Sequence, residues 1–281
     1  MDKNILSILK QALREDAARG DVTTLFIIPK EKIVRAQIVF KQSGVVCGLF
    51  VAKEIFCLLD KNIRLKPKYK DGAKVKSGTS VALVEGKARA ILTGERTVLN
   101  FLSHLSGIAT QTRQFVDRVY PFKARITDTR KTIPNLRKLQ KYAIKCGGGY
   151  NHRFDLAEMV MIKDNHKISM AGQRTLADLV KRARANTRKM VEVEVENLKE
   201  YYQVLSEKPD IIMLDNMRLS DIRNAAKARL ANREFKKIKL EVSGNVNLKG
   251  VREIAKTGVD MISVGGLTHS VRAIDVSLEI K

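Results

Sequence analysis

The chain has 281 residues, 44% hydrophobic and 30% charged, the balance of a globular protein able to bury a large core in one big domain or two unequal ones. Its net charge of +23 points to anionic substrates or partners, yet Lys and Arg are spread along the whole chain rather than gathered in one tail. No apolar run approaches the roughly 20 residues that cross a bilayer, and aromatics at 5% supply no aromatic-interleaved basic stripe for nucleic acid, so neither a membrane nor a specific nucleic-acid partner is expected.

The first segment reads as an amphipathic helix from Met1 to near Gly20, with Ile5, Leu6, Leu9, Ala12 and Leu13 on one face, and not as a signal peptide. Residues 34–84 have the texture of short strands, exemplified by 34–40, with glycine turns at Gly44, Gly48, Gly72, Gly78 and Gly86 and one helix around 49–59. A long helix is expected over about 93–119. Cys47, Cys57 and Cys146 form neither a paired framework nor a metal-spaced motif, so reduced thiols in a cytoplasmic protein are expected.

After Pro121 the rhythm changes. Apolar strand-like segments recur at 124–126, 159–162, 191–195, 211–214, 238–242 and 261–264. Amphipathic helical stretches at 178–185, 198–205, 219–230 and 248–257 separate most of them, the pattern of repeated βα units and a parallel sheet. Periodicity alone fits either a barrel or an open doubly wound sheet. The polar residues favour the barrel, where ligand groups gather at the C-terminal ends of the strands. All six segments end in polar residues or glycine: Asp128-Thr129-Arg130-Lys131, Lys163-Asp164-Asn165-His166, Glu194, Asp215-Asn216, Ser243-Gly244-Asn245 and Gly265-Gly266. The expected fold is a β/α barrel preceded by an α/β domain.

Taken as one site, Arg130, Lys131, Arg153 and Lys163 bring strong positive charge, with Arg suited to flat carboxylates and Lys to phosphate. Glu194 and Asp215 suit Mg²⁺ or ribose hydroxyls; structural ion pairs with the nearby cations are the plainer alternative. Ser243-Gly244-Asn245 and Gly265-Gly266 have the make-up of backbone N–H cradles for phosphate. These groups suit phosphoribosyl transfer, and equally an aldolase-like phosphosugar barrel with Lys163 as a Schiff-base nucleophile.

Specific motifs then narrow the choice. Gly20-Asp21-Val22-Thr23-Thr24, Gly94-Glu95-Arg96-Thr97, Asp128-Thr129-Arg130-Lys131-Thr132, Gly147-Gly148-Gly149-Tyr150-Asn151-His152-Arg153, Lys163-Asp164-Asn165-His166, Glu192-Val193-Glu194, Leu214-Asp215-Asn216, Ser243-Gly244-Asn245 and Val264-Gly265-Gly266 run in order along nearly the whole chain. Together they resemble the quinolinate phosphoribosyltransferase family. The resemblance implies an N-terminal open-faced α/β sandwich (1–110), an incomplete β/α barrel (111–268) and a C-terminal segment (269–281) packing back on the first domain. It implies transfer of phosphoribosyl from 5-phosphoribosyl-1-pyrophosphate to quinolinate with Mg²⁺, giving nicotinate mononucleotide, pyrophosphate and CO₂.

By the same resemblance Lys131, Lys163, Glu194 and Asp215 are catalytic, with Glu194 and Asp215 on the metal. Arg96, Thr129, Arg130, His152, Arg153, Ser243, Gly244, Asn245, Val264, Gly265 and Gly266 join them in binding substrate. Arg96 would enter a neighbouring subunit's site, making the active unit a homodimer. Asn135, after Pro134, stands where the family often has Gly, and Val242 where it often has Ala or Ser. A paralogous phosphoribosyltransferase of the same fold acting on a different acid is the alternative within this resemblance.

Overall fold

The computed structural model describes residues 2–17, 19–170, 172 and 174–281. The chain divides into two compact units: Met1–Arg113 with Thr132–Gly148 and Leu267–Lys281, and Gln114–Lys131 with Gly149–Gly266. In chain order the elements are α1 (Lys3–Ala17), α2 (Val22–Ile27), β1 (Ile33–Phe40), β2 (Gly44–Val45), α3 (Leu49–Leu59), β3 (Arg64–Pro67), β4 (Lys74–Val75), β5 (Thr79–Lys87) and α4 (Ala88–Val119). They continue with β6 (Arg125–Thr127), α5 (Arg137–Cys146), β7 (Val160–Ile162), α6 (Asp164–Ser169), α7 (Leu176–Asn186), β8 (Val191–Val195), α8 (Leu198–Leu205) and β9 (Ile211–Asp215). The last are α9 (Leu219–Ala231), β10 (Lys239–Ser243), α10 (Val251–Ala255), β11 (Met261–Ser263), α11 (Gly266–His269) and β12 (Val276–Ile280).

In the first unit Ala36, Ile38 and Phe40 alternate along β1 and are buried, as a sheet with one covered face requires. The sheet has the order β12-β1-β5-β3 and is antiparallel throughout, while β2 and β4 pair in a separate ribbon. The C-terminal strand joins by pairing Ala36 with Ile280 through Phe40 with Val276. Ile55 and Phe56 on α3, and Leu102, Leu105 and Ile108 on α4, are fully buried in this unit's core.

Three sequence expectations shift here. The first helix ends at Ala17, ahead of Gly20, and Met1 and Ala18 lie outside the described residues. Gly86 is not a turn: it sits inside β5, where a Cβ would come within 2.7 Å of Ile63. The long helix starts at Ala88 rather than 93, because Ala-Arg-Ala-Ile-Leu are good helix formers that follow the strand without a break.

The second unit holds six parallel strands in the order β6-β11-β10-β9-β8-β7. From β7 to β11 chain-consecutive strands are spatial neighbours, and the last, β11, returns to the first, β6. That is the cyclic order of a βα barrel in which β6 and β7 do not pair with each other, so the barrel is incomplete. The open side of β6 is met by Tyr150, whose N–H donates to Ile126 O (2.8 Å) and whose carbonyl accepts from Asp128 N (3.1 Å). All five residues of β8, Val-Glu-Val-Glu-Val, are buried, valines on one face and glutamates on the other. A strand covered on both faces is the mark of a parallel sheet under helices. Helix α10 is shorter than the expected 248–257, because Asn247 Oδ1 accepts from Lys249 N and Gly250 N (3.0 Å each) and holds those residues in a turn.

Candidate active site

The face of the barrel strands opposite the valines is polar. Thr127 on β6 pairs in register with Ser263 on β11, and their hydroxyls lie 2.7 Å apart, both buried. Ser263 Oγ donates to Glu241 on β10. Glu241 and Glu192 on β8 then flank His152, whose Nε2 lies 3.2 Å and 3.1 Å from their carboxylate oxygens. One continuous polar chain thus joins β6, β11, β10 and β8 beneath the strand ends.

His152 is placed by its backbone, whose N–H donates to Asp128 Oδ1 (2.8 Å) of a fully buried carboxylate. Its Nδ1 accepts from Arg153 N (2.8 Å). The side chain is buried, so His152, expected to face substrate, has both ring nitrogens engaged within the unit. Burial alone would push this imidazole down, but Glu192 and Glu241 outweigh it and raise its pKa to about 10. Burial and the nearby Glu241 raise Glu192 to about 7. The cluster therefore holds protons more tightly than its isolated groups.

Arg153 is buried, its guanidinium donates to Met159 O (3.3 Å), and its pKa is lowered first by burial and then by the neighbouring Arg130. A buried guanidinium with a second one beside it makes a strong subsite for an anion. Arg130 and Thr129 are half-buried just beyond β6, and Lys131 is exposed, its N–H donating to Thr129 Oγ1 (3.0 Å). The structure therefore brings Thr129, Arg130, Lys131, His152 and Arg153 into the second unit.

At the neighbouring strand ends Lys163 Nζ contacts Glu194 Oε2 at 2.9 Å. His166 accepts the Lys163 N–H with its Nδ1 (2.9 Å), which makes it a local cap of α6. Glu194 pairs with Met213 in register, and Asp215 stands two residues further along β9 on the same face. Asp215 pairs with Ser243 and accepts from Asn216 Nδ2 (2.7 Å). Asn216 is the joint of this corner: its N–H donates to Ser243 O (3.0 Å), its Oδ1 accepts from Asn245 Nδ2 (2.9 Å), and its φ is 52°. Gly244 has φ 87°, and a Cβ there would collide with the Asn216 side chain, so the Ser243-Gly244-Asn245 loop admits no other residue without rearrangement. Val264 is buried, and its N–H donates to Thr127 O (3.0 Å). Gly265 and Gly266 follow at the end of β11, where a Cβ on Gly266 would meet open space.

Arg96 belongs to the first unit, exposed well inside α4 rather than at a helix start. The sequence reading passed over Asp128, Glu192, Glu241 and Asn216 as working parts of the site. A signal existed for the two glutamates: each is an acid in the middle of an apolar strand, which on a covered strand has to find a partner.

Paired guanidiniums, carboxylates on adjacent strand ends and a glycine-bearing loop at one end of an incomplete barrel define an enzyme for anionic, phosphorylated substrates. Residues 21–106 match the family model described as quinolinate phosphoribosyl transferase, N-terminal domain, and residues 108–279 that of the C-terminal domain, so the chain belongs to this family. It is 41% identical over 275 residues to a probable nicotinate-nucleotide pyrophosphorylase [carboxylating] of Bacillus subtilis, covering 97% of this chain and 92% of the relative. It is 43% identical over 284 residues to its counterpart in Methanocaldococcus jannaschii, covering 98% and 96%. The solved nicotinate-nucleotide pyrophosphorylase of Francisella tularensis superposes with a TM-score of 0.92 at 40% identity, covering 99% of this chain and 96% of that one.

Proposed function

We propose that Arg130 and Arg153 clamp the two adjacent carboxylates of quinolinate in a decarboxylating phosphoribosyltransferase of NAD biosynthesis. The observation that carries this assignment is a buried Arg153 guanidinium with the charge of Arg130 beside it, close enough to help hold the Arg153 pKa down. Planar forks match planar carboxylates bidentately. Family membership supplies the reaction: the quinolinate nitrogen bonds to C1′ of 5-phosphoribosyl-1-pyrophosphate as the bond to pyrophosphate breaks. The C2 carboxylate then leaves as CO₂, its electron pair held at C2 beside the pyridinium nitrogen until a proton replaces it.

In this reading His152 holds Arg153 in place through the bond from Arg153 N to its Nδ1. Lys131 and Lys163 supply charge to the phosphates and carboxylates, and the Ser243-Gly244-Asn245 and Gly265-Gly266 loops receive the ribosyl phosphate, with Thr129 and Val264 lining the site. Glu194 and Asp215 face one side of adjacent strands, a donor set that fits Mg²⁺, which takes one or two carboxylates together with substrate phosphates. The ion would neutralise charge on the departing pyrophosphate. The chain's own contribution is positioning and electrostatics, with no covalent nucleophile. Lys163 is committed to Glu194, which argues against an aldolase role.

The proposal extends to a homodimer in which Arg96 completes the neighbouring subunit's site, and to a cytoplasmic location in keeping with three free cysteines. Among the described residues no helix is long and apolar enough to cross a membrane. Incubation with quinolinate, 5-phosphoribosyl-1-pyrophosphate and Mg²⁺ should yield nicotinate mononucleotide and CO₂. Nicotinate should fail to replace quinolinate, because it offers the clamp only one carboxylate. Equal turnover of both acids would sink the assignment.

A further inference from the structure

The first unit contains a second cluster that the transferase chemistry does not use. Cys47 follows β2, Asp71 lies in the turn between β3 and β4, and Tyr142 and Cys146 stand one helical turn apart on α5. A sulfur of Cys47, an oxygen of Asp71 and the sulfur of Cys146 all lie within 4.8 Å of one another. Tetrahedral zinc, with bonds of about 2.3 Å to sulfur and 2.0–2.2 Å to oxygen, wants such atoms roughly 3.5–3.8 Å apart, a small inward adjustment.

The surroundings look prepared for a cation. Asp71 is fixed by three donors: Gly48 N (3.0 Å), Leu49 N (3.2 Å) and Tyr142 OH (2.7 Å). Gly48 N and Tyr142 OH share Oδ2, which leaves Oδ1 one lone pair beyond its bond from Leu49 N. Cys47 is fully buried and Cys146 half-buried.

We propose that Cys47, Asp71 and Cys146 form a three-ligand site for a thiophilic divalent cation of the zinc type, with water as fourth ligand and Tyr142 orienting Asp71. Two sulfurs and one carboxylate select against Mg²⁺, which prefers all-oxygen shells. The site is thus chemically separate from the carboxylates assigned to Mg²⁺, and it stands or falls independently of the proposed function. Binding exchanges the thiol protons for the metal, with no change of oxidation state. The occupied site would tie the end of α5, directly ahead of the Gly147-Gly148-Gly149 run, to the start of α3.

The test uses the full chain, free of a polyhistidine tag, stripped of metal and titrated with Cd²⁺ in excess Mg²⁺. A thiolate-to-metal absorption band should saturate at one Cd²⁺ per chain, and Zn²⁺ should displace it. Losing an outer partner of a metal site costs about 10–100-fold in affinity, so Tyr142→Phe should weaken Cd²⁺ binding about tenfold and Cys146→Ala about a hundredfold or more. Cys57→Ala should leave the titration unchanged, since Cys57 lies outside the cluster. Because Cys146→Ala could disturb α5, alkylation is also mapped on the wild-type chain: Zn²⁺ should slow labelling of Cys146 and not of the exposed Cys57. Absence of the band in the wild type overturns the proposal. So does a band that depends on Cys57, equal labelling of Cys146 with and without Zn²⁺, or a Cys47–Cys146 disulfide formed with peroxide in a chain that binds no Cd²⁺.

Discussion

Nε2 of His152 lies 3.2 Å from Oε2 of Glu241, inside a barrel where both side chains are buried. Glu192 closes on the same nitrogen from β8 at 3.1 Å. Buried carboxylates on one imidazole form a unit whose protons belong to the cluster rather than to any one residue. Its histidine accepts the Arg153 N–H through Nδ1, which links barrel stability to the geometry of the proposed clamp.

Both resolved shifts in this cluster are upward, which fixes the sign of its pH dependence. His152 moves from 6.5 to about 10, so its contribution is fully present below pH 6.5 and is lost as pH rises through about 10. Glu192 moves from 4.5 to about 7 and acts in the same sense, its contribution fading as pH climbs past about 7. Denaturant unfolding should therefore show stability declining from mildly acidic to alkaline pH. His152→Asn leaves two buried carboxylates without their partner, at a cost of about 3–5 kcal/mol near neutral pH. The loss should shrink as pH rises through about 10, where His152 itself gives up its proton. A pH-independent loss would mean that His152 acts by packing alone.

Replacing Arg130 or Arg153 with Lys exchanges a planar fork for a point charge. The lost interaction is on the order of 1.5–3 kcal/mol, roughly 10–150-fold. It should appear in KM for quinolinate while KM for the ribosyl donor barely moves. Steady-state kinetics with each substrate varied in turn decides this, and equal effects on both would remove the two arginines from the dicarboxylate.

Asp215→Asn should lower kcat and leave quinolinate binding nearly intact, since Asp215 is assigned to the metal and ribose side. Calorimetric titration with quinolinate alone provides the check. A variant that no longer binds quinolinate would place Asp215 on the other substrate. Gly244→Ala should instead weaken the phosphoribosyl donor, because its Cβ pushes on Asn216 and so on the Asp215 corner.

Asn135 adopts φ 65°, a left-handed position that Asn tolerates through its short polar side chain. Asn135→Gly should be close to neutral in urea unfolding, whereas Asn135→Ala should cost about 1 kcal/mol. Equal midpoints for the two variants would show that the backbone there relaxes.

Much of the barrel was legible in the sequence because its signal is periodic. Runs such as Val191–Val195 and Ile211–Asp215, spaced by amphipathic helices, needed only the parallel-strand rule to be placed. Closure was not legible: that β11 returns to β6 while β6 and β7 do not pair with each other depends on pairings no local pattern encodes. Helix α5 went unassigned in the sequence reading, its apolar Leu139, Ala143 and Ile144 set among basic residues. The cations of the site were visible as residue types at strand ends. The buried Glu192 and Glu241 were not, because their meaning comes from a histidine distant in sequence. The Cys47–Asp71–Cys146 cluster escaped for the same reason: ligand spacing along the chain reveals metal sites only when the ligands are close in sequence.

Arg96 tests the proposed dimer most directly. It is exposed on α4 in the first unit, while Lys163 and Glu194 form their ion pair in the second. If Arg96 completes a neighbour's site, Arg96→Ala and Lys163→Ala should each be nearly inactive alone. After dissociation and reassociation of a mixture, a heterodimer has one site with both residues intact and one with neither. Random exchange makes about half the dimers mixed, each with one working site of two, so activity should recover to about a quarter of the wild-type value. Subunit exchange is verified separately, by mass or by a fluorescent label on each variant. Recovery near that level makes the site shared between subunits. A mixture no more active than its parts, with exchange proven, would place Arg96 in its own chain's site or outside catalysis.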